Sequence, residues 1–138
     1  MPEALPSVIE FSEDLSKAEA PKPLPRGEYL ATIRTVSAKT SQKETRYAEV
    51  WFHVGSDQYP ADYREGGADG TSIPYRRVSL EDTPRGRYGC RRFIESIGAP
   101  LGKRIDVSEW VGREAVVEIE NEKWEGVDRA NITRVRAA

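Results

Sequence analysis

The chain has 138 residues, with 21 Lys+Arg against 23 Asp+Glu, a net charge of -2, 38% apolar residues and a pI near 5.6. That length and apolar share suit one domain with a modest core, and no apolar run approaches the ~18 residues of a membrane helix. A single cysteine and a single histidine exclude an internal disulfide framework and a zinc site of nitrogen and sulfur ligands. The charge balance excludes coating duplex DNA by bulk positive charge, a habit of domains with pI above ~9. Any nucleic-acid role must rest on a local surface.

The first 26 residues hold five of the nine prolines, none of the glycines, and Glu3, Glu10, Glu13, Asp14 and Glu19. Pro21, Pro23 and Pro25 alternate, which predicts a stiff, extended lead-in. Two readings fit this acidic, Pro-rich N-terminal arm (residues 1-26). In one, Ile9 and Phe11 lie over the domain; in the other, the arm is an acidic, hydrophobic lure for a partner protein. Met1-Pro2-Glu3 lacks the basic and apolar regions of a secretory signal. A cytoplasmic location is therefore expected.

From Gly27 the pattern has period 2, the mark of strands. Tyr29, Ala31 and Ile33 predict a first strand reaching about Val36, and Ser41 to Glu44 a polar hairpin turn. In the second strand Ala48, Val50, Phe52 and Val54 form an apolar face opposite Tyr47, Glu49, Trp51 and His53. Residues 55-72, with four glycines and three aspartates, predict a long mobile loop. A third strand, about Ile73 to Leu80, sets Tyr75 and Arg77 on one face against Val78 and Leu80 on the other.

The period then changes. Cys90, Phe93, Ile94 and Ile97 form one apolar stripe of a short helix that Gly98 caps and Pro100 cannot continue. Asp106 and Glu109 predict a capped single turn, with Ile105 and Trp110 as its hydrophobic staple and Gly112 as its end. Ala115, Val117 and Ile119 mark a fourth strand; Val127 to Val135 is a fifth, where a phase slip predicts a bulge near Thr133. The expected fold is all-β with one short helix, in the order β-β-β-α-β-β. Five short strands hide their apolar faces best by closing, so residues 27-138 are expected to form a five-stranded OB-fold Greek-key barrel.

Single strands are held by rings under bases and cations along phosphates. If the first three strands curve together, Arg34, Trp51, Tyr75 and Arg77 are expected on one outer surface, with Tyr47 beside them. The alternative is that Trp51 and Tyr47 are covered by the arm or by a second subunit. Lys123 and Trp124 in the last turn flank one side of such a surface; Lys39, Lys43 and Arg46 near the first hairpin flank the other. Tyr59, Tyr63 and Arg64 are candidates to close over a strand, or simply pin their loop. Arg85, Arg87, Arg91 and Arg92 gather at the helix start, where cations oppose the helix dipole.

The stretches Val8-Ile9-Glu10-Phe11 and Pro25-Arg26-Gly27-Glu28-Tyr29, then Phe93-Ile94-Glu95-Ser96-Ile97-Gly98, and then residues 110-119 and 126-135 resemble bacteriophage single-stranded-DNA-binding proteins. The likeness spans most of the chain, mainly at core positions and turns. It implies an OB-fold, single-stranded DNA as ligand, and a place in phage replication or recombination beside other such proteins or further copies of itself. Members often carry an acidic C-terminal tail; here Arg134-Val135-Arg136 stands at that end and the acids at the front.

An enzymatic site is not expected. His53 is the only imidazole and sits on a strand face, leaving serine nucleophiles without a base. Glu118, Glu120, Glu122 and Lys123 lack nuclease spacing, because Asn121 stands where an acid is required. Gly66-Gly67-Ala68-Asp69-Gly70 lacks the lysine of a phosphate loop. The expected function is sequence-independent, non-catalytic binding of single-stranded DNA by stacking and phosphate neutralisation, with no cofactor, metal or membrane. The alternative is an adaptor that binds another replication or recombination protein through the same face or the arm.

Overall fold

The computed structural model describes residues 6-138. The chain is mostly β with one helix: β1 (Gly27–Thr40), β2 (Arg46–Val54), β3 (Thr71–Ser79), α1 (Pro84–Ile97), β4 (Glu114–Trp124) and β5 (Val127–Arg136). The five antiparallel strands form one sheet in the order β3-β2-β1-β4-β5.

The long first strand organises this sheet. Its start, Gly27 to Thr32, pairs with β4, and Thr32 to Thr40 pairs with β2. A register shift between Ile33 and Thr35 leaves Arg34 as the extra residue of a bulge. Bulges bend and overtwist a strand, which lets β1 pass from one half of the sheet to the other. The sheet curls far enough that some Cα atoms of its edge strands, β3 and β5, come within 8 Å of each other.

Among the described residues no ladder joins those edges, so the sheet stays open where a closed barrel was expected. Both edges are irregular. Pro74 removes a backbone donor from β3, and a shift in the β4–β5 register leaves Thr133 as a bulge. That second bulge falls where the phase slip predicts it. The helix α1 contacts both edge strands and β4, covering the gap.

The helix is longer than its apolar stripe implies, at 14 residues, because Thr83 and Pro84 start it. Thr83 Oγ1 accepts a hydrogen bond from the Gly86 amide, and Gly98 ends the helix in a left-handed conformation at φ 68°. Phe93, Ile94 and Ile97 are buried beneath it. Asp106 caps the one-turn helix Val107–Trp110 by accepting from the Ser108 amide. Trp110 is 1% exposed and joins Ile33, Phe52, Val117 and Ile132 in the core.

Leu24, the last sizeable apolar residue of the arm, is 0% exposed. Its carbonyl accepts from Asn121 Nδ2 at 2.9 Å, and the Pro25 carbonyl accepts from the Tyr29 hydroxyl at 2.7 Å. The last residues of the arm therefore belong to the core. Upstream the outcome differs from the first expectation for the arm: Ile9 and Phe11 are exposed, as are Val8 and Leu15. The loop 55-70 is tied down by its own tyrosines. Tyr59 and Tyr63 meet edge to face at 5.1 Å, Tyr59 donates to the Gly67 carbonyl, and Tyr63 donates to the Lys22 carbonyl.

Candidate nucleic-acid interface

Residue parity along β2 builds the site. Ala48, Val50, Phe52 and Val54 are all buried, which turns Tyr47, Glu49, Trp51 and His53 to the other face. The register sets Lys39 opposite Tyr47, Ser37 opposite Glu49 and Thr35 opposite Trp51. On the other flank, Trp51 faces Pro74 and Tyr47 faces Ser79. Tyr47 and Trp51 are half-buried.

Glu49 sits between these rings and is the one buried charged residue among those described. Its Oε1 accepts from Lys39 Nζ at 3.0 Å and from Trp51 Nε1 at 3.1 Å; its Oε2 accepts from Arg76 Nε at 2.6 Å. The Arg76 guanidinium, with the Lys39 ammonium next, holds the Glu49 carboxyl down at about 2. One carboxylate thus locks the tilt of Trp51 and the position of two cations. The sequence places Glu49 on this face but carries no sign that Arg76 would reach it.

The reason is a third bulge, between β2 and β3. Ala48 pairs with Val78 while Val50 pairs with Tyr75, so Arg76 and Arg77 both stand opposite Glu49. This corrects the expected phase of β3: Tyr75 turns to the inner side, together with Val78. Its ring stacks on Phe93 at 5.9 Å and meets Phe52 edge-on at 6.4 Å, and burial pushes its hydroxyl pKa up. Tyr75 therefore belongs to the aromatic cluster under α1, which continues from Phe93 to Trp110 at 5.3 Å. It does not share the Trp51 surface.

Arg46 also leaves that surface. It has the phase of Ala48, and it lines a groove beside α1 with Ala38 and Leu80. Arg34 and Arg77, by contrast, are exposed at the two bulges that flank the β2 rings, and Lys43 is exposed in the hairpin Ser41 to Thr45. Arg34, Lys43, Arg77 and Lys123 make no ion pair among the described residues.

Trp124 is 56% exposed at the β4–β5 hairpin, with the Arg129 guanidinium 6.0 Å from its ring centre. Lys123 is exposed next to it. This hairpin runs past the start of β1, since Gly27 pairs with Ile119, whereas the first hairpin lies past its end. The two tips therefore stand beyond opposite ends of β1. The structure brings together Tyr47, Trp51, Arg34 and Arg77, adds Lys39 and Arg76, and sets Lys123 and Trp124 on a separate hairpin.

The arginines of α1 are mostly engaged at home. Arg91 pairs with Glu95 one turn on at 3.0 Å, Arg87 pairs with Asp82, and Arg92 lies 6.0 Å from the Tyr88 ring centre. His53 anchors the long loop, with Nε2 2.8 Å from the Asp69 carbonyl oxygen. Among the described residues no group of three or more His, Cys, Asp or Glu is arranged to hold a metal ion, and no helix is long and apolar enough to cross a membrane. Compared with protein-family models and with curated proteins, the chain matches none.

Proposed function

We propose that the chain is a non-catalytic, sequence-independent single-stranded-DNA-binding module of OB-fold type, acting in phage DNA replication or recombination. One observation carries the reading. Two half-buried rings, Tyr47 and Trp51, stand four residues apart on one face of β2, and four cations border them (Arg34, Lys39, Arg76 and Arg77) against a single carboxylate, Glu49. Stacking on a ring contributes about 1–3 kcal/mol per base, so two rings hold a short strand even on a protein of net charge -2.

The OB-fold assignment draws support from β1 serving both halves of the sheet, from α1 bridging β3 and β5, and from the near approach of those edges. The bases lie across β2, with phosphates passing Arg34 on one side and Arg77 on the other. Bonding of Glu49 to Lys39, Trp51 and Arg76 pre-sets the platform, so little ordering is required on binding.

Titrating an oligo-dT strand at low salt while following tryptophan emission tests this. Strong quenching that a Trp51→Ala chain lacks is the expected result. Unchanged emission and no retardation of the strand would overturn it in favour of the adaptor reading.

A further inference from the structure

The two rings of β2 leave an interval that a bound strand must cross. Tyr47 and Trp51 lie four residues apart on one face, a separation of about 13 Å at ~3.3 Å per residue. Neighbouring nucleotides stand ~3.4 Å apart along one strand of a duplex, and a strand stretched to twice that spacing still cannot put adjacent bases on both rings. At least one base therefore lies between them, above Glu49.

That interval is rich in donors and poor in acceptors. Glu49 is 8% exposed, and its Oε1 already accepts two hydrogen bonds, from Lys39 and Trp51. Its Oε2 accepts from Arg76 Nε. The cations are open, with the Lys39 and Arg76 side chains 46% and 56% exposed. Lys39 gives Glu49 one of its three ammonium hydrogens, and Arg76 gives only its Nε hydrogen. The terminal nitrogens of that guanidinium, Nη1 and Nη2, have no partner among the described residues. The Thr35 and Ser37 hydroxyls on the β1 flank donate or accept equally, so they discriminate nothing.

Arg76 differs from the other arginines of this face in being anchored. Arg34 and Arg77 make no ion pair among the described residues, so the strand itself has to order their long side chains. Glu49 holds Arg76 by Nε and leaves the Nη1–Nη2 edge as a preset fork of two parallel donors. Such a fork matches two acceptors side by side on a base. Guanine offers them at O6 and N7, and in a single strand cytosine offers O2 and N3. Adenine sets its amino group between N1 and N7, and thymine sets N3–H between O2 and O4. Each of those puts a donor against the fork.

We infer that Arg76 reads the base held between Tyr47 and Trp51, favouring guanine or cytosine there over adenine or thymine. The inference rests on the single-stranded-DNA reading and adds a modest preference to it: the rings accept every base, and the fork grades them. A bidentate arginine–guanine pair discriminates by about 5- to 150-fold, and Arg76 is half open to water, so the low end is expected.

Tryptophan-emission titrations test this with strands of equal length at fixed salt and slightly alkaline pH, where cytosine is uncharged. Oligo-dC is compared with oligo-dT, and a repeat of TTG with a repeat of TTA. Wild type is expected to bind the dC and TTG strands about 5-fold more tightly than their counterparts. Arg76→Lys keeps the charge beside Glu49 but removes the fork, so both ratios are expected to fall to about 1. Arg77→Lys, next to it and unanchored, is expected to keep the ratios.

Ratios near unity in wild type, with the Trp51-dependent quench intact, overturn the inference and leave the DNA reading standing. Ratios that survive Arg76→Lys, or that fall as far in Arg77→Lys, assign the preference to another group and overturn it equally. Emission that no strand changes overturns the reading and the inference together.

Discussion

Arg76 Nε lies 2.6 Å from Glu49 Oε2 across the bulge between β2 and β3, and this contact determines what the outer face offers. Glu49 is nearly enclosed by Lys39, Trp51 and Arg76, so its charge is spent on its neighbours. An acid that would otherwise repel phosphates instead fixes the ring and the cations around it.

Replacing Glu49 with Gln is expected to lower stability at pH 7 by roughly 1 kcal/mol, since both cationic partners are themselves half open to solvent. Its folded-state pKa is depressed from 4.5 to about 2, so its contribution is complete above pH 4.5 and is lost as the pH falls through 2. Urea titrations of wild type and Glu49→Gln should therefore diverge at pH 7 and converge toward pH 2.

Trp51→Ala is expected to weaken oligo-dT binding about 5- to 150-fold, the equivalent of one stacked base, with Trp51→Phe retaining most of the affinity. Tyr47→Ala should act in the same direction. Trp110 is too deeply buried to report on a strand, so loss of the quench in the Trp51 variant assigns it to β2; any residual quench belongs to Trp124. Fluorescence titration at fixed salt measures all of this.

Salt dependence separates cations that meet phosphates from those that merely solubilise. Each phosphate contact on a single strand contributes about 0.7 to the slope of log K against log salt. Arg34→Ala and Arg77→Ala are each expected to reduce that slope by about 0.7, and Arg46→Ala, on the groove side, to leave it unchanged.

Tyr75 is expected to act on stability and not on DNA. Tyr75→Ala opens a hole beside Phe52 and Phe93 and should cost about 3 kcal/mol in a denaturant titration. Tyr75→Phe keeps the stacked ring and should bind oligo-dT like wild type. A Tyr75→Phe chain with markedly weaker binding would return this residue to the platform.

The strands of this chain were legible wherever alternation was unbroken, as from Ala48 to Val54 and from Ala115 to Ile119. The stripe Phe93, Ile94 and Ile97 likewise disclosed the helix, though its start depended on Thr83 and Pro84, which lie outside the apolar pattern. The inner position of Tyr75 escapes the alternation because the extra residue at Arg76–Arg77 flips the phase, and pairing register across strands is invisible to one-strand periodicity. The same blindness hid the link between Glu49 and Arg76, 27 positions apart. It also put Arg46 with the wrong neighbours, since a hairpin residue's side depends on where the turn begins.

The seat of Leu24 also decides where this chain can be shortened. A version beginning at Pro21 keeps the plug, its Asn121 tether and the Tyr63 bond to Lys22, so it should melt like the parent. Starting at Gly27, where composition alone draws the boundary, would remove Leu24 from the core and strip Tyr29 of its bond to the Pro25 carbonyl, so that version should melt earlier.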